Sequence, residues 1–141
     1  INYVKKQYKG IGRPMKIGKE GIMGLLKALD RYENKDREKE VQENLAKVEY
    51  LCEEINKIPG LKAVQIQDEA GRAIYRARVT VDTDVTDKKM SDINKALRDG
   101  NPMIYCRTEF LNLGKIDFDP RPLIEGDKEL IVEKLKEIME G

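Results

Sequence analysis

Residues 61–81, LKAVQIQDEAGRAIYRARVTV, decide the fold because apolar and polar side chains alternate on both sides of a turn. In the first half, Val64 and Ile66 alternate with glutamines. In the second half the apolar residues on one face are Tyr75, Ala77, Val79 and Val81, and the opposite face carries Arg76, Arg78 and Thr80. A period of two is typical of half-buried strands, and the acidic stretch 68–71 ends in a glycine that favours a turn. We predict an antiparallel hairpin.

Helical periodicity surrounds this hairpin. A first helix is predicted over about residues 19–33, with apolar residues at Ile22, Leu25, Leu26, Leu29 and Tyr32. A second apolar stripe runs from residue 41 to 58 and ends at Pro59-Gly60. A third helix follows a cap at Thr86, and a last helix follows a cap at Asp127.

Further strands are predicted at residues 103–108, 110–113 and 115–118. The order of elements predicts an α+β fold: a small antiparallel or mixed sheet with helices on one face, ferredoxin-like, preceded by a connector helix.

Composition excludes several function classes. The 141 residues suit one core, and a net charge of +1 with 38% charged residues gives no indication of nucleic-acid binding. No apolar run is long enough for a membrane span or a signal peptide. The chain has no histidine, which excludes histidine-based triads and ordinary zinc sites. Cys52 and Cys106 lack metal-ligand spacing, so we expect buried thiols in a reducing cytoplasm.

Residues 10–32, GIGRPMKIGKEGIMGLLKALDRY, form a glycine- and lysine-rich connector that leads into the first helix. Cations ahead of a helix N-terminus favour anions, because free N–H groups and the helix dipole add to their charge. Arg13 and Lys16 are therefore candidate phosphate ligands. The alternative is a solvated linker, which is what most charge runs are.

The connector resembles the hinge of pyridoxal-phosphate (PLP) enzymes related to selenocysteine synthase (L-seryl-tRNA selenium transferase) and D-glucosaminate-6-phosphate ammonia-lyase. The hinge of that family has a Gly-Arg-x-Met-Lys run, as residues 12–16 do here. The stretches 96–107, ALRDGNPMIYCR, and 116–121, IDFDPR, are similar to later strands of the family that carry arginines. Pro14 and the glycine- and lysine-containing stretch that follows it favour the ammonia-lyase branch over the selenium-transferring one.

The resemblance implies a division into a connector with an interdomain helix, residues 1–33, and a small C-terminal domain, residues 34–141, of a fold-type-I PLP enzyme. The large PLP-binding domain, with the Schiff-base lysine, would then lie outside this chain. The parent enzyme would remove an α-proton from an amino acid or a phosphorylated amino-sugar acid and eliminate a β-substituent, with the cofactor as electron sink. We expect a homo-oligomer, and we expect this chain alone to be inactive.

In such enzymes the small domain lends an arginine to the substrate carboxylate, because the guanidinium fork matches it with two parallel hydrogen bonds. The resemblance implies this role first for Arg107 and then for Arg121, with Arg13 or Lys16 on a cofactor or substrate phosphate. The structural alternatives are an Arg107 paired with a neighbouring glutamate and an Arg121 that is a surface charge. No catalytic or metal-binding residue is assigned. A free-standing ferredoxin-like regulatory or adaptor module that binds a small anion or a partner protein is the alternative function.

Overall fold

The computed structural model describes residues 2–7, 10 and 18–141, and the chain divides into two compact units, Ile1–Arg37 and Glu38–Gly141. In the first unit, helix α1 covers Asn2–Gln7 and helix α2 covers Lys19–Glu33, the range predicted from its periodicity. All of α2 is exposed, including its apolar stripe. Among the described residues, no helix is long and apolar enough to cross a bilayer.

The second unit is a helix-covered sheet. Its elements, after α3 (Arg37–Ile55) at the boundary, are β1 (Leu61–Gln67), β2 (Tyr75–Val81), α4 (Met90–Asp99), a 3₁₀ turn (Leu111–Leu113), β3 (Lys115–Phe118) and α5 (Asp127–Glu140). The three strands are antiparallel in the order β1-β2-β3. The predicted hairpin is confirmed, with Leu61 opposite Val81 and Gln67 opposite Tyr75.

One core lies between the inner face of the sheet and the helices. The sheet contributes Leu61, Ala63, Ala77, Val79, Ile116 and Phe118, and α3, α4 and α5 contribute Val48, Leu51, Ile55, Met90, Ile93, Leu97, Ile131, Val132 and Leu135. Buried side chains of this size each contribute roughly 1.5–3 kcal/mol of transfer free energy. The opposite face of the sheet carries alternate residues such as Val64, Arg76, Arg78 and Asp117. The predicted α+β class with helices on one face is confirmed.

Two strand predictions were wrong. Residues 103–106 form no ladder, because the chain leaves α4 with Ile104 N–H bonded to Leu97 O at 2.9 Å, and the first sheet contact comes at Arg107. Residues 110–113 form a 3₁₀ turn, because the N–H groups of Leu113 and Lys115 both bond to Phe110 O. The sheet of the described chain therefore has three strands.

Two helix caps also differ from the prediction. Helix α4 begins at Met90, three residues later than a Thr86 cap requires, and the Thr86 hydroxyl accepts instead from Lys88 N–H. Helix α5 does begin at Asp127, but its N-cap is Gly126, and the Asp127 carboxylate accepts from Ile124 N–H at 2.9 Å.

Candidate anion-binding site

Arg107 extends the sheet by one residue beyond β3. Its N–H bonds to Asp117 O at 2.9 Å, and Asp117 N–H bonds back to Arg107 O at 3.1 Å. The guanidinium donates to Glu109, from Nε to Oε2 at 3.3 Å and from Nη2 to Oε1. Both side chains are partly exposed, 40% for Arg107 and 52% for Glu109, and the hydrogen bond from Arg107 lowers the pKa of Glu109.

Arg121 is held by a more buried carboxylate. Its Nε and Nη2 donate to the two oxygens of Asp119 at 2.8 and 2.7 Å, and its backbone N–H adds a third bond at 3.2 Å. Asp119 also accepts from Arg76 Nε at 3.1 Å. Burial alone would raise the pKa of Asp119, but the hydrogen bonds from Arg121 and Arg76 outweigh it and bring the pKa to about 2.

These contacts continue as a chain of alternating charges. Arg76, whose side chain is 8% exposed, lies between Asp119 and Asp68, and its Nη1 is 3.5 Å from the Asp68 carboxylate. Arg72 then donates to both oxygens of Asp68 at 2.8 and 3.0 Å, which lowers the pKa of Asp68 to about 2. This chain of charges contains three cations and two anions, in the spatial order Arg72, Asp68, Arg76, Asp119, Arg121. It connects the hairpin turn to the segment after β3.

A second buried pair lies beside Arg107. Arg78 on β2 donates to both oxygens of Asp117 on β3 at 2.7 and 2.8 Å, and the Arg78 guanidinium stacks on the Phe110 ring, 4.5 Å from its centroid. Asp117 is 6% exposed. Because Arg78 on β2 and Arg107 in its single bridge lie on either side of Asp117, all three side chains project from the outer face of the sheet.

Arg107 lies between two concave surfaces. The large groove, about 560 Å³, is lined mainly by apolar side chains, among them Met103, Tyr105, Phe118, Pro122 and Leu130, with Arg107, Asp119 and Asp127 as its charged members. The small groove, about 260 Å³, is lined by Arg76, Arg78, Arg107, Glu109 and Asp117 among others. Grooves of several hundred Å³ with a few convergent polar groups are typical of ligand sites.

The structure ties both predicted substrate arginines to one short segment. Arg107 pairs with the backbone of Asp117, and Arg121 binds the carboxylate of Asp119. The roles of the two arginines stay predictions, and the glutamate partner of Arg107 is the arrangement named above as the structural alternative. Arg13 and Lys16 lie outside the described residues.

Sequence reasoning missed a group of buried and partly buried charges. Arg76, Arg78, Asp117 and Asp119 were not singled out as a unit, although two arginines alternate on one strand and two aspartates alternate on the next. The register that places Arg78 opposite Asp117 brings the two patterns into contact. The sequence did carry a signal for this group: two arginines at spacing i, i+2 in one predicted strand and two aspartates at the same spacing in another can pair across the sheet.

Neither cysteine is activated as a nucleophile. Burial raises the pKa of Cys52, and it raises the pKa of Cys106 to about 11, so both thiols stay protonated at neutral pH. The Cys106 thiol lies 3.3 Å from the Asn94 side-chain oxygen. Among the residues that the structure describes, no cluster of three or more acidic or thiol side chains is arranged to hold a metal ion.

Two partly buried lysines are committed to backbone carbonyls. Lys47 Nζ donates to Leu123 O at 2.7 Å and Pro120 O at 3.3 Å, and Lys88 Nζ donates to the carbonyls of Ile138 and Met139 at the end of α5. A lysine that reacts with a cofactor needs a desolvated amine without such partners. Neither lysine fits that role.

These features define an α+β domain with an arginine-rich, carboxylate-paired face beside an apolar groove. The comparisons with known proteins then identify its relatives. The chain is 41% identical over 136 residues to D-glucosaminate-6-phosphate ammonia lyase of Salmonella typhimurium, covering 96% of this chain and 36% of the relative. It is 39% identical over 135 residues to 5'-C-glycyluridine monooxygenase-decarboxylase of a Streptomyces species, covering 96% and 34%.

A solved structure of D-glucosaminate-6-phosphate ammonia-lyase matches with a TM-score of 0.75 at 41% identity, again over 96% of this chain and 36% of that chain. No protein-family model matches. The chain thus spans about a third of the length of the relatives it matches, consistent with a small C-terminal domain. The resemblance to the ammonia-lyase group, predicted from the sequence, is confirmed.

Proposed function

We propose that this chain is the small C-terminal domain of a PLP-dependent lyase or transferase that acts on an anionic amino acid or amino-sugar acid. The 41% identity to D-glucosaminate-6-phosphate ammonia-lyase, over 96% of the chain, is the observation that carries the proposal. The predicted relationship to selenocysteine synthase stays a prediction.

The cofactor would be held mainly by the large domain that makes up the remaining two thirds of such an enzyme. PLP, when bound, supplies the electron sink for a carbanion next to the amino group. The described residues of this chain fit a supporting role, because their partly buried lysines Lys47 and Lys88 are bonded to carbonyls. Arg13 and Lys16 in the connector remain our candidates for contact with a phosphate of the cofactor or substrate.

Arg107 and Arg121 would bind the anionic end of the substrate. Each guanidinium carries five N–H donors and uses its Nε and Nη2 side on Glu109 or Asp119. The end of the fork, formed by Nη1 and the second hydrogen of Nη2, is left for an incoming carboxylate or phosphate. One relative is named for glycyluridine and the other for D-glucosaminate 6-phosphate, and both molecules combine an amino acid group with a sugar, which supports an amino-sugar acid or a similar molecule as substrate.

Helix α2 would contact the large domain or a second subunit. Its stripe of Ile22, Leu25, Leu26, Leu29 and Tyr32 is between 43 and 59% exposed. Apolar stripes of this kind are normally covered by a partner surface. A homo-oligomer in the reducing cytoplasm, where Cys52 and Cys106 stay free, is part of the same proposal.

The test is an ammonia-release assay on the complete gene product that carries this chain, with PLP and D-glucosaminate 6-phosphate. We expect ammonia release that requires PLP and a rise in KM for Arg107→Gln. A protein that binds no PLP and releases no ammonia from amino-sugar acids or amino acids would contradict the proposal. In that case the anion-binding regulatory or adaptor module takes its place.

A further inference from the structure

The two arginine–carboxylate pairs of the site differ in how firmly they are held. Asp119 is 13% exposed and binds two guanidinium groups, those of Arg121 and Arg76. Glu109 is 52% exposed and, among the described residues, Arg107 is the only side chain that hydrogen bonds to it. An arginine–carboxylate pair therefore occurs once within a largely buried network, at Arg121, and once on the exposed surface, at Arg107.

The Arg121 pair cannot open at low cost. If Asp119 moved away, the buried Arg76 would keep only the longer 3.5 Å contact to Asp68. Removing one partner of a buried charge is strongly destabilising, because the remaining charge is left buried without compensation. Asp119 therefore stays in place when a ligand arrives, and Arg121 offers only the end of its fork.

The Arg107 pair opens easily. Exposed ion pairs contribute about 0.2–1 kcal/mol, and a released Glu109 carboxylate is hydrated at once. Arg107 itself stays fixed, because both its N–H and its carbonyl are bonded to Asp117. Arg107 lines both grooves, whereas Glu109 lines only the small one of the two.

We infer that Glu109 is an affinity-determining residue: it acts as an internal competitor that the carboxylate of a ligand displaces from Arg107. The inference rests on the proposed anion-binding role of Arg107. Two carboxylates on one guanidinium repel each other, so an incoming anion gains more from Arg107 when Glu109 leaves. The other charges close to this pair are Asp117 and Asp119, which act on Arg107, and Arg76 and Arg78, which interact with Glu109. All four are held in ion pairs of their own.

The experiment is a titration of the ¹⁵N-labelled 141-residue chain with sodium acetate, replacing sodium chloride at constant ionic strength. The Nε–Hε resonance of Arg107 reports binding at this guanidinium. Glu109→Gln keeps the size of the side chain and removes its charge. We expect acetate to bind Arg107 about 1.4- to fivefold more tightly in Glu109→Gln than in the unchanged chain, the factor that 0.2–1 kcal/mol corresponds to.

Glu137→Gln is the matched control, because Glu137 is 53% exposed and forms a similar surface pair with Lys134 on α5. It should leave the affinity at Arg107 unchanged, which separates local competition from a general change in net charge. An equal or weaker affinity in Glu109→Gln, with Arg107 still responding to acetate, would overturn the competitor role alone. An Arg107 resonance that does not respond in either protein would overturn its anion-binding role as well, while the PLP content of the complete gene product is tested separately.

Discussion

Arg107 and Asp117 exchange both of their backbone hydrogen bonds, although the residues just before Arg107 form no strand. This single bridge fixes the Cα of Arg107 beside β3 and places its side chain on the outer face of the sheet, next to the Arg78–Asp117 pair. A guanidinium on an otherwise irregular segment thus gains the positional precision of a strand residue. Such placement is what recognition of a carboxylate by two parallel bonds requires.

The Arg78–Asp117 pair should contribute strongly to stability. Replacing Asp117 with Asn removes the charge opposite Arg78, whose side chain is 20% exposed. We expect a loss of about 2–4 kcal/mol in the free energy of unfolding, somewhat below the range for fully buried pairs. Urea denaturation measures it. Glu137→Gln, which breaks an exposed pair, should cost less than about 1 kcal/mol. Similar losses in both variants would show that burial does not strengthen the Asp117 pair.

Asp119 should make the stability depend on pH in the acid range. Its folded-state pKa of about 2 lies below its ordinary value of 3.8, so the unfolded chain binds the proton more tightly. The stabilisation is complete above about pH 4 and is lost as the pH falls towards 2, amounting to about 2 kcal/mol. In Asp119→Asn, we expect lower stability at neutral pH and a shallower loss between pH 4 and 2. Parallel pH profiles for the two proteins would argue against this assignment.

Gly60 should resist substitution more than another glycine of the same backbone conformation. Gly60 has φ +85°, and a Cβ there would lie 2.8 Å from Thr86 Cγ2 and 2.9 Å from Met139 Cε. Gly114 has φ +70° but open space around it. We expect Gly114→Ala to cost about 1 kcal/mol from backbone strain and Gly60→Ala to cost about 1–3 kcal/mol more from overpacking. Thermal unfolding compares the two; equal losses would mean that the side chains around Gly60 yield freely.

The exposed stripe of α2 should make the isolated chain self-associate. We expect sedimentation velocity of the 141-residue chain to show a dimer or a larger species, because each stripe residue covered gains roughly 1.5–3 kcal/mol of transfer free energy. Leu26→Glu, in the middle of the stripe, should yield the monomer. Leu113→Glu is the control, since Leu113 is 62% exposed but lies outside α2. A clean monomer of the unchanged chain at high concentration would contradict the prediction.

Local patterns predicted the helices and the hairpin well, because apolar residues recur every 3.6 positions in an amphipathic helix and every second position in a half-buried strand. The range of α2 and the alternation of Ala77 and Val79 in β2 are examples. The pattern failed at residues 103–106 and 110–113, where the apolar side chains are real but the backbone hydrogen bonds go to α4 and to a tight turn. Only part of the site could be predicted from the sequence. Arg107 and Arg121 were candidates because of a family resemblance, whereas the burial of Arg76 depends on contacts between distant segments and leaves no local pattern.

In the proposed function, residues 1–141 form the small domain of a PLP enzyme whose Schiff-base lysine lies outside these residues. The most direct measurement is borohydride reduction of the complete gene product after purification, followed by peptide mapping of the modified lysine. The account predicts a protein that absorbs in the visible region and a cofactor-modified lysine in a peptide outside these 141 residues. A colourless protein that takes up no PLP, or a modified lysine within residues 1–141, would contradict it.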